Sequence, residues 1–94
     1  MSINLNSTIV GRCLLNALER VNDCLDGIDH CLRHNKAIAA DTTKLLHELR
    51  QQINEVVTTP QLPYPARAAL MKDGIHVGPR RFKMSAVGIT WCNA

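Results

Sequence analysis

Aromatic side chains are almost absent from this sequence. One Tyr, one Phe and one Trp make up 3% of its 94 residues. Any core must therefore rest on aliphatic side chains, each buried Leu or Ile contributing roughly 1.5–3 kcal/mol. Long apolar runs are missing as well. Arg12 and Glu19 interrupt the only early apolar stretch, and no run approaches the ~20 residues a spanning helix needs. No export signal is read in the first residues, so the expectation is a soluble, cytoplasmic chain without a membrane partner. Glycine is sparse, with five residues spread through the chain, which leaves little material for a loop that cradles phosphate. Gly74-Ile75-His76-Val77-Gly78 does not lead from a buried strand into a helix, so it is no dinucleotide fingerprint. No motif sets a Ser, a His and an acid together. The expectation is a non-enzyme with no catalytic residues and no cofactor.

Four cysteines without an export signal are expected to be free thiols. Cys13, Cys24 and Cys31 fall on nearly one line of a helix. At 1.5 Å per residue they are roughly 16 and 10 Å apart along the axis, too far for one disulfide or one metal. They read as small buried apolar residues, with Cys92 the most accessible thiol. His30 and His34 have the i,i+4 spacing of a zinc pair, and Asp26 lies one turn earlier. No further ligand is supplied, and Asp23, Asp29 and Arg33 make this a solvated helix face. No metal is expected.

The first 59 residues hold two amphipathic runs. Leu14, Leu18, Val21, Leu25, Ile28 and Leu32 recur in alternating four- and three-residue steps and share one helix face. Asn6 or Ser7 can cap this helix, Gly27 weakens its interior by about 1 kcal/mol relative to Ala, and Asn35 is its stop. A second helix begins between Lys36 and Thr43, with Ala37–Ala40 favouring the early start and Asp41 the later one. Its face reads Ile38, Leu45, Leu46, Leu49, Ile53 and Val56, and Thr58-Thr59-Pro60 ends it. The pattern predicts a mainly α fold: an antiparallel helical hairpin over residues 1–59, a Pro-rich linker, and a basic C-terminal arm over 60–94 within the same single domain. Pro60, Pro63 and Pro65 imply a stiff, extended entry to the arm. A short helix from Ala66 to Asp73 then ends at Gly74. Gly78-Pro79 marks a turn, and Arg81 to Cys92 reads as one or two short strands with a bulge at Gly88.

Charge divides the chain in the same place. Residues 1–59 carry six Lys/Arg and seven Asp/Glu; residues 60–94 carry five Lys/Arg and one acid. All three aromatics, Tyr64, Phe82 and Trp91, also lie in the arm. Arg67, Lys72, Arg80, Arg81, Phe82, Lys83 and Trp91 are therefore the candidate partner-binding residues. Cations suit phosphate or an acidic protein surface, an aromatic face can stack a base, and Arg and Trp are enriched among binding hot spots. The competing reading has Phe82 and Trp91 closing the open side of the helices while the cations stay in water. Three roles remain open: a modulator that binds another protein, a DNA-binding accessory protein, and a homo-oligomerisation module built on the heptad face.

Across its whole length the chain resembles the small early-region proteins of lambdoid bacteriophages, and among these the anti-RecBCD proteins. The resemblance rests on the length, the start Met1-Ser2-Ile3-Asn4-Leu5-Asn6, and the Cys-rich segment Arg12 to His34. It implies a non-enzymatic protein of the host cytoplasm that binds the RecBCD exonuclease–helicase, protects phage DNA ends and favours phage recombination. It carries no residue roles onto this sequence.

Overall fold

The computed structural model describes residues 4–38 and 40–93. Its order is a short 3-10 turn (Leu5–Ser7), α1 (Ile9–Arg33), α2 (Ala40–Thr58), α3 (Tyr64–Ala68), a π-helical turn (Ala69–Asp73), and strands β1 (Ile75–Val77), β2 (Arg80–Ser85) and β3 (Gly88–Asn93). The fold is mainly α with a small antiparallel sheet of order β1-β2-β3. No described helix is long and apolar enough to cross a membrane.

The cap of α1 is Thr8, not Asn6 or Ser7. Thr8 is extended (φ −133°, ψ 158°), and its hydroxyl accepts the Gly11 N–H at 2.9 Å. Asn6 and Ser7 are taken up in the preceding turn, which the Asn4 side chain caps. The other end matches the expectation for Asn35, which has φ 54°. The Lys36 N–H donates to the Cys31 carbonyl at 2.8 Å and the Asn35 N–H to Leu32 at 3.4 Å, the paired bonds that close a helix on a left-handed residue. α2 starts at Ala40, between the two expected starts: Ala37 and Ile38 are not helical, Ala39 lies outside the described residues, and Asp41 sits inside the first turn, where the helix dipole favours an acid, rather than capping it. Met1, Ser2 and Ile3 of the opening segment also lie outside the described residues.

α1 and α2 pack along one another, and the core forms where the arm joins them. Leu14, Leu18, Val21, Leu49, Ile53, Leu70 and Phe82 are its fully enclosed side chains. The α1 stripe is buried only as far as Leu25; Leu32 is 64% exposed because nothing reaches it. The Pro-rich entry is not extended. The Leu62 N–H donates to the Thr59 carbonyl at 3.3 Å, which makes a tight turn and drives Leu62 into the core. α3 starts at Tyr64, two residues before the expected Ala66.

The sheet goes beyond the expected strands, because β1 occupies Ile75–Val77, where no strand is expected. β2 alternates perfectly: Arg80, Phe82 and Met84 are buried, while Arg81, Lys83 and Ser85 are exposed. β2 pairs with β3 without interruption from Arg80↔Asn93 to Ser85↔Gly88. There is no bulge at Gly88; its φ of 103° closes the two-residue Ala86-Val87 turn instead.

Phe82 is the largest enclosed side chain and the only fully buried aromatic. Phe82→Ala should cost about 3–5 kcal/mol, a large share of the stability of so small a domain. Urea unfolding followed by circular dichroism measures it. A loss under about 1 kcal/mol would mean that Phe82 does not fill the core.

Candidate functional site

The alternation of β2 sorts the candidate residues onto two faces, and only one of them meets solvent. Arg80 is turned inward and is 5% exposed. Its Nη1 donates to Asn22 Oδ1 at 2.6 Å, to the Asn22 carbonyl at 3.2 Å and to Asp26 Oδ1 at 2.7 Å. Its Nη2 donates to Asp29 Oδ2 at 2.9 Å. This guanidinium is used up inside the protein. Phe82 follows in the core, so neither residue is a surface contact.

Trp91 is half-buried rather than a free anchor. It lies across the ladder from Phe82, with ring centres 6.1 Å apart and tilted by 53°. The Arg50 guanidinium covers its other side, 5.2 Å from the ring centre, and Arg50 Nη2 donates to the Ile89 carbonyl at 3.2 Å. Arg67 is also partly buried. Its Nη2 donates to the Thr59 carbonyl, which ties α3 to the end of α2, and its Nε is enclosed without a partner.

Three candidates remain in solvent: Lys72, Arg81 and Lys83. Arg81 and Lys83 project from the outer face of β2, roughly 7 Å apart at 3.3–3.4 Å per residue. The register adds residues that the linear cluster does not contain. His76 of β1 and Cys92 of β3 flank Arg81, and Thr90 flanks Lys83. All are exposed. Arg81 Nη2 lies 3.8 Å from Cys92 Sγ. Gly74, with φ 84°, makes room for the stem of Arg81: a Cβ there would stand 2.7 Å from Arg81 Cγ. The backbone at the end of the π-helical turn thus fixes where the cation lies.

The outer face therefore holds Arg81, Lys83 and His76 with no acid among its strand residues, and Lys72 is exposed in the turn leading to it. Neither Arg81 nor Lys83 joins an ion pair among the described residues; those pairs belong to Arg80. A flat face of unneutralised cations can accept carboxylates or phosphates. His76 is the one ring among its strand residues, with no Phe, Tyr or Trp, so it offers little platform for stacking a base. His30 and His34 pack their rings 4.3 Å apart on exposed α1 turns, and no group of three metal-binding side chains occurs among the described residues. Comparison of the chain with family models, curated proteins and solved structures gives no match.

Two arginines adjacent in sequence should behave in opposite ways. Arg80→Ala removes charge-assisted bonds and leaves Asn22 unpaired, which should cost about 1.5–3 kcal/mol. Arg81→Ala should change stability by less than about 0.5 kcal/mol. Thermal melting of the two variants side by side checks this. Equal melting temperatures would contradict the inward placement of Arg80.

Proposed function

We propose that this chain is a small non-enzymatic phage protein that docks on an acidic surface of a host protein through the outer face of its sheet. The carrying observation is the set of exposed, unpaired cations at Lys72, Arg81 and Lys83, with His76 beside them. The resemblance to the anti-RecBCD proteins names the partner: the RecBCD exonuclease–helicase of the host cytoplasm. Occupying that enzyme's surface inhibits or alters its action on linear DNA, which protects phage ends and favours phage recombination. In this reading the two long helices form an antiparallel hairpin, and the hairpin with its Pro-rich connection is the rigid base that presents the arm. Such a protein acts by where it binds and uses no bond-making chemistry of its own.

A second reading has the same cations grip DNA phosphates directly. It is favoured by the absence of acids among the strand residues of the face and weakened by the absence of an exposed Phe, Tyr or Trp there. Binding to duplex DNA alone separates the two: phosphate binding needs no protein partner and falls steeply as salt rises.

The test uses Arg81→Glu combined with Lys83→Glu. Both side chains are exposed, so the variant should melt within about 1 kcal/mol of the parent. Its affinity for the purified exonuclease–helicase should fall by roughly tenfold or more. Protection of linear DNA in a degradation assay should fall with it. Undiminished binding and protection by the double variant would remove the sheet face from the mechanism. If the parent protein neither bound the enzyme nor changed degradation, the RecBCD reading would fail. Salt-sensitive binding to DNA alone would then favour the second reading.

A further inference from the structure

Between α2 and the tip of the β2–β3 hairpin lies an open pocket of about 470 Å³. One wall is polar. His47, Arg50, Gln51 and Asn54 fall at positions i, i+3, i+4 and i+7 of α2 and so share one face of the helix. The other wall is apolar and comes from Ala86, Val87 and Ile89. Val87, in the hairpin turn, is 81% exposed.

Arg50 is the one permanent charge of this lining, which contains no acid. Glu48 and Glu55, the acids of α2 closest to it in sequence, are not part of the lining. The guanidinium is held in place before any ligand arrives. It lies over Trp91, 5.2 Å from the ring centre, and its Nη2 donates to the Ile89 carbonyl at 3.2 Å. That bond uses one of its five N–H groups, and no ion pair among the described residues engages Arg50. A half-buried, braced guanidinium with donors left over suits an anion, because little side-chain freedom remains to be lost on binding. Gln51 and Asn54 add neutral amide donors. An amide nitrogen carries two N–H groups, so Gln51 keeps one when His47 Nε2, 3.2 Å away, accepts the other.

The lining also selects among anions. A phosphate monoester brings a charge of about −1.5 to −2, more than one guanidinium balances. A carboxylate brings a single charge and matches the planar fork of an arginine. The apolar wall then needs an apolar group attached to that carboxylate.

We propose that this pocket binds a monocarboxylate with an apolar body, from either a free organic acid or the carboxyl end of a peptide. Arg50 takes the carboxylate, Gln51 and Asn54 donate to it, and the apolar body lies against Ala86 and Val87. Neither Arg81 nor Lys83 lines the pocket, so it is separate from the cationic sheet face and independent of what that face binds.

An NMR titration of the nitrogen-labelled full chain tests this, read at the indole N–H of the single Trp91 and at the amides of α2 and the hairpin. N-acetylleucine stands for a peptide end and hexanoate for a free acid. Both should give saturable shifts with a Kd on the order of 1 mM, as expected for ligands so small. N-acetylleucinamide, which has the same body without the charge, and inorganic phosphate should each bind roughly tenfold more weakly or less. Val87→Glu sets an acid against the site on an exposed turn. It should melt with the parent and weaken binding by roughly tenfold or more. Arg50→Lys keeps the charge without the fork and should weaken it too; should that variant fail to fold for want of the brace on Ile89, Val87→Glu decides. Arg81→Glu with Lys83→Glu should bind both acids as the parent does. Tighter binding of N-acetylleucine assigns the pocket to chain ends and tighter binding of hexanoate to free acids, and each supports the proposal. Absence of saturable shifts with both acids overturns it. So does equal binding of the amide or of phosphate, or binding that Val87→Glu leaves intact.

Discussion

The Arg80 guanidinium decides how the two halves of this protein meet. It enters from β2 and ends on α1, where Asn22, Asp26 and Asp29 receive it. Burying a guanidinium without partners is prohibitive, so the sheet can settle only where all three are within reach. The two carboxylates stay half-exposed, at 56% and 54%. They keep much of their hydration, which lowers the desolvation cost that usually offsets a buried ion pair. The apolar contacts around Phe82 supply most of the adhesion, but they are not directional. The guanidinium, with its fixed fork of donors, supplies the direction.

Once β2 is fixed in this way, its pleat divides the remaining side chains. Arg80, Phe82 and Met84 go inward, and Arg81 and Lys83 must go outward. Core residues and exposed cations thus share one strand, on alternate positions. The edges of the sheet are also controlled. β1 has only three residues, and Arg50 takes the Ile89 carbonyl of β3 while lying over Trp91. Short or covered edges resist pairing with a foreign strand.

The sequence carried the parts of this arrangement that are local. The α1 stripe, the stop at Asn35, the end of α2 before Pro60 and the alternation along β2 can all be read from neighbouring residues. What depends on distance could not be read. Arg80 stood inside a cationic cluster and looked like its neighbours, because its partner Asn22 lies 58 residues away. The only local trace was on α1, where Asn22, Asp26 and Asp29 form a polar line beside the apolar stripe. That line read as an ordinary solvated face. β1 was missed because three residues are too few to show a period. Leu32 and Ile28 continued the apolar rhythm past the point where the arm covers it, so periodicity alone could not tell core from open groove. His76 and Thr90 joined the candidate face only through strand register.

The same ion pairing accounts for the exposed charge. The chain as a whole carries only +3, which predicts no strong field. Arg80, however, draws on Asp26 and Asp29, two of the four acids of α1, and both lie on the side of the helix that faces the sheet. Those carboxylates are held by Arg80 and are not free to reach round to the outer face. The arm contributes one acid of its own, Asp73, in the turn before β1. Arg81 and Lys83 therefore stand on a surface whose nearest acids are already engaged or lie outside its strands. A modest net charge becomes a concentrated one because the fold spends its acids on the inside of the sheet. The low dielectric beneath the strands and the open water above them direct that field outward.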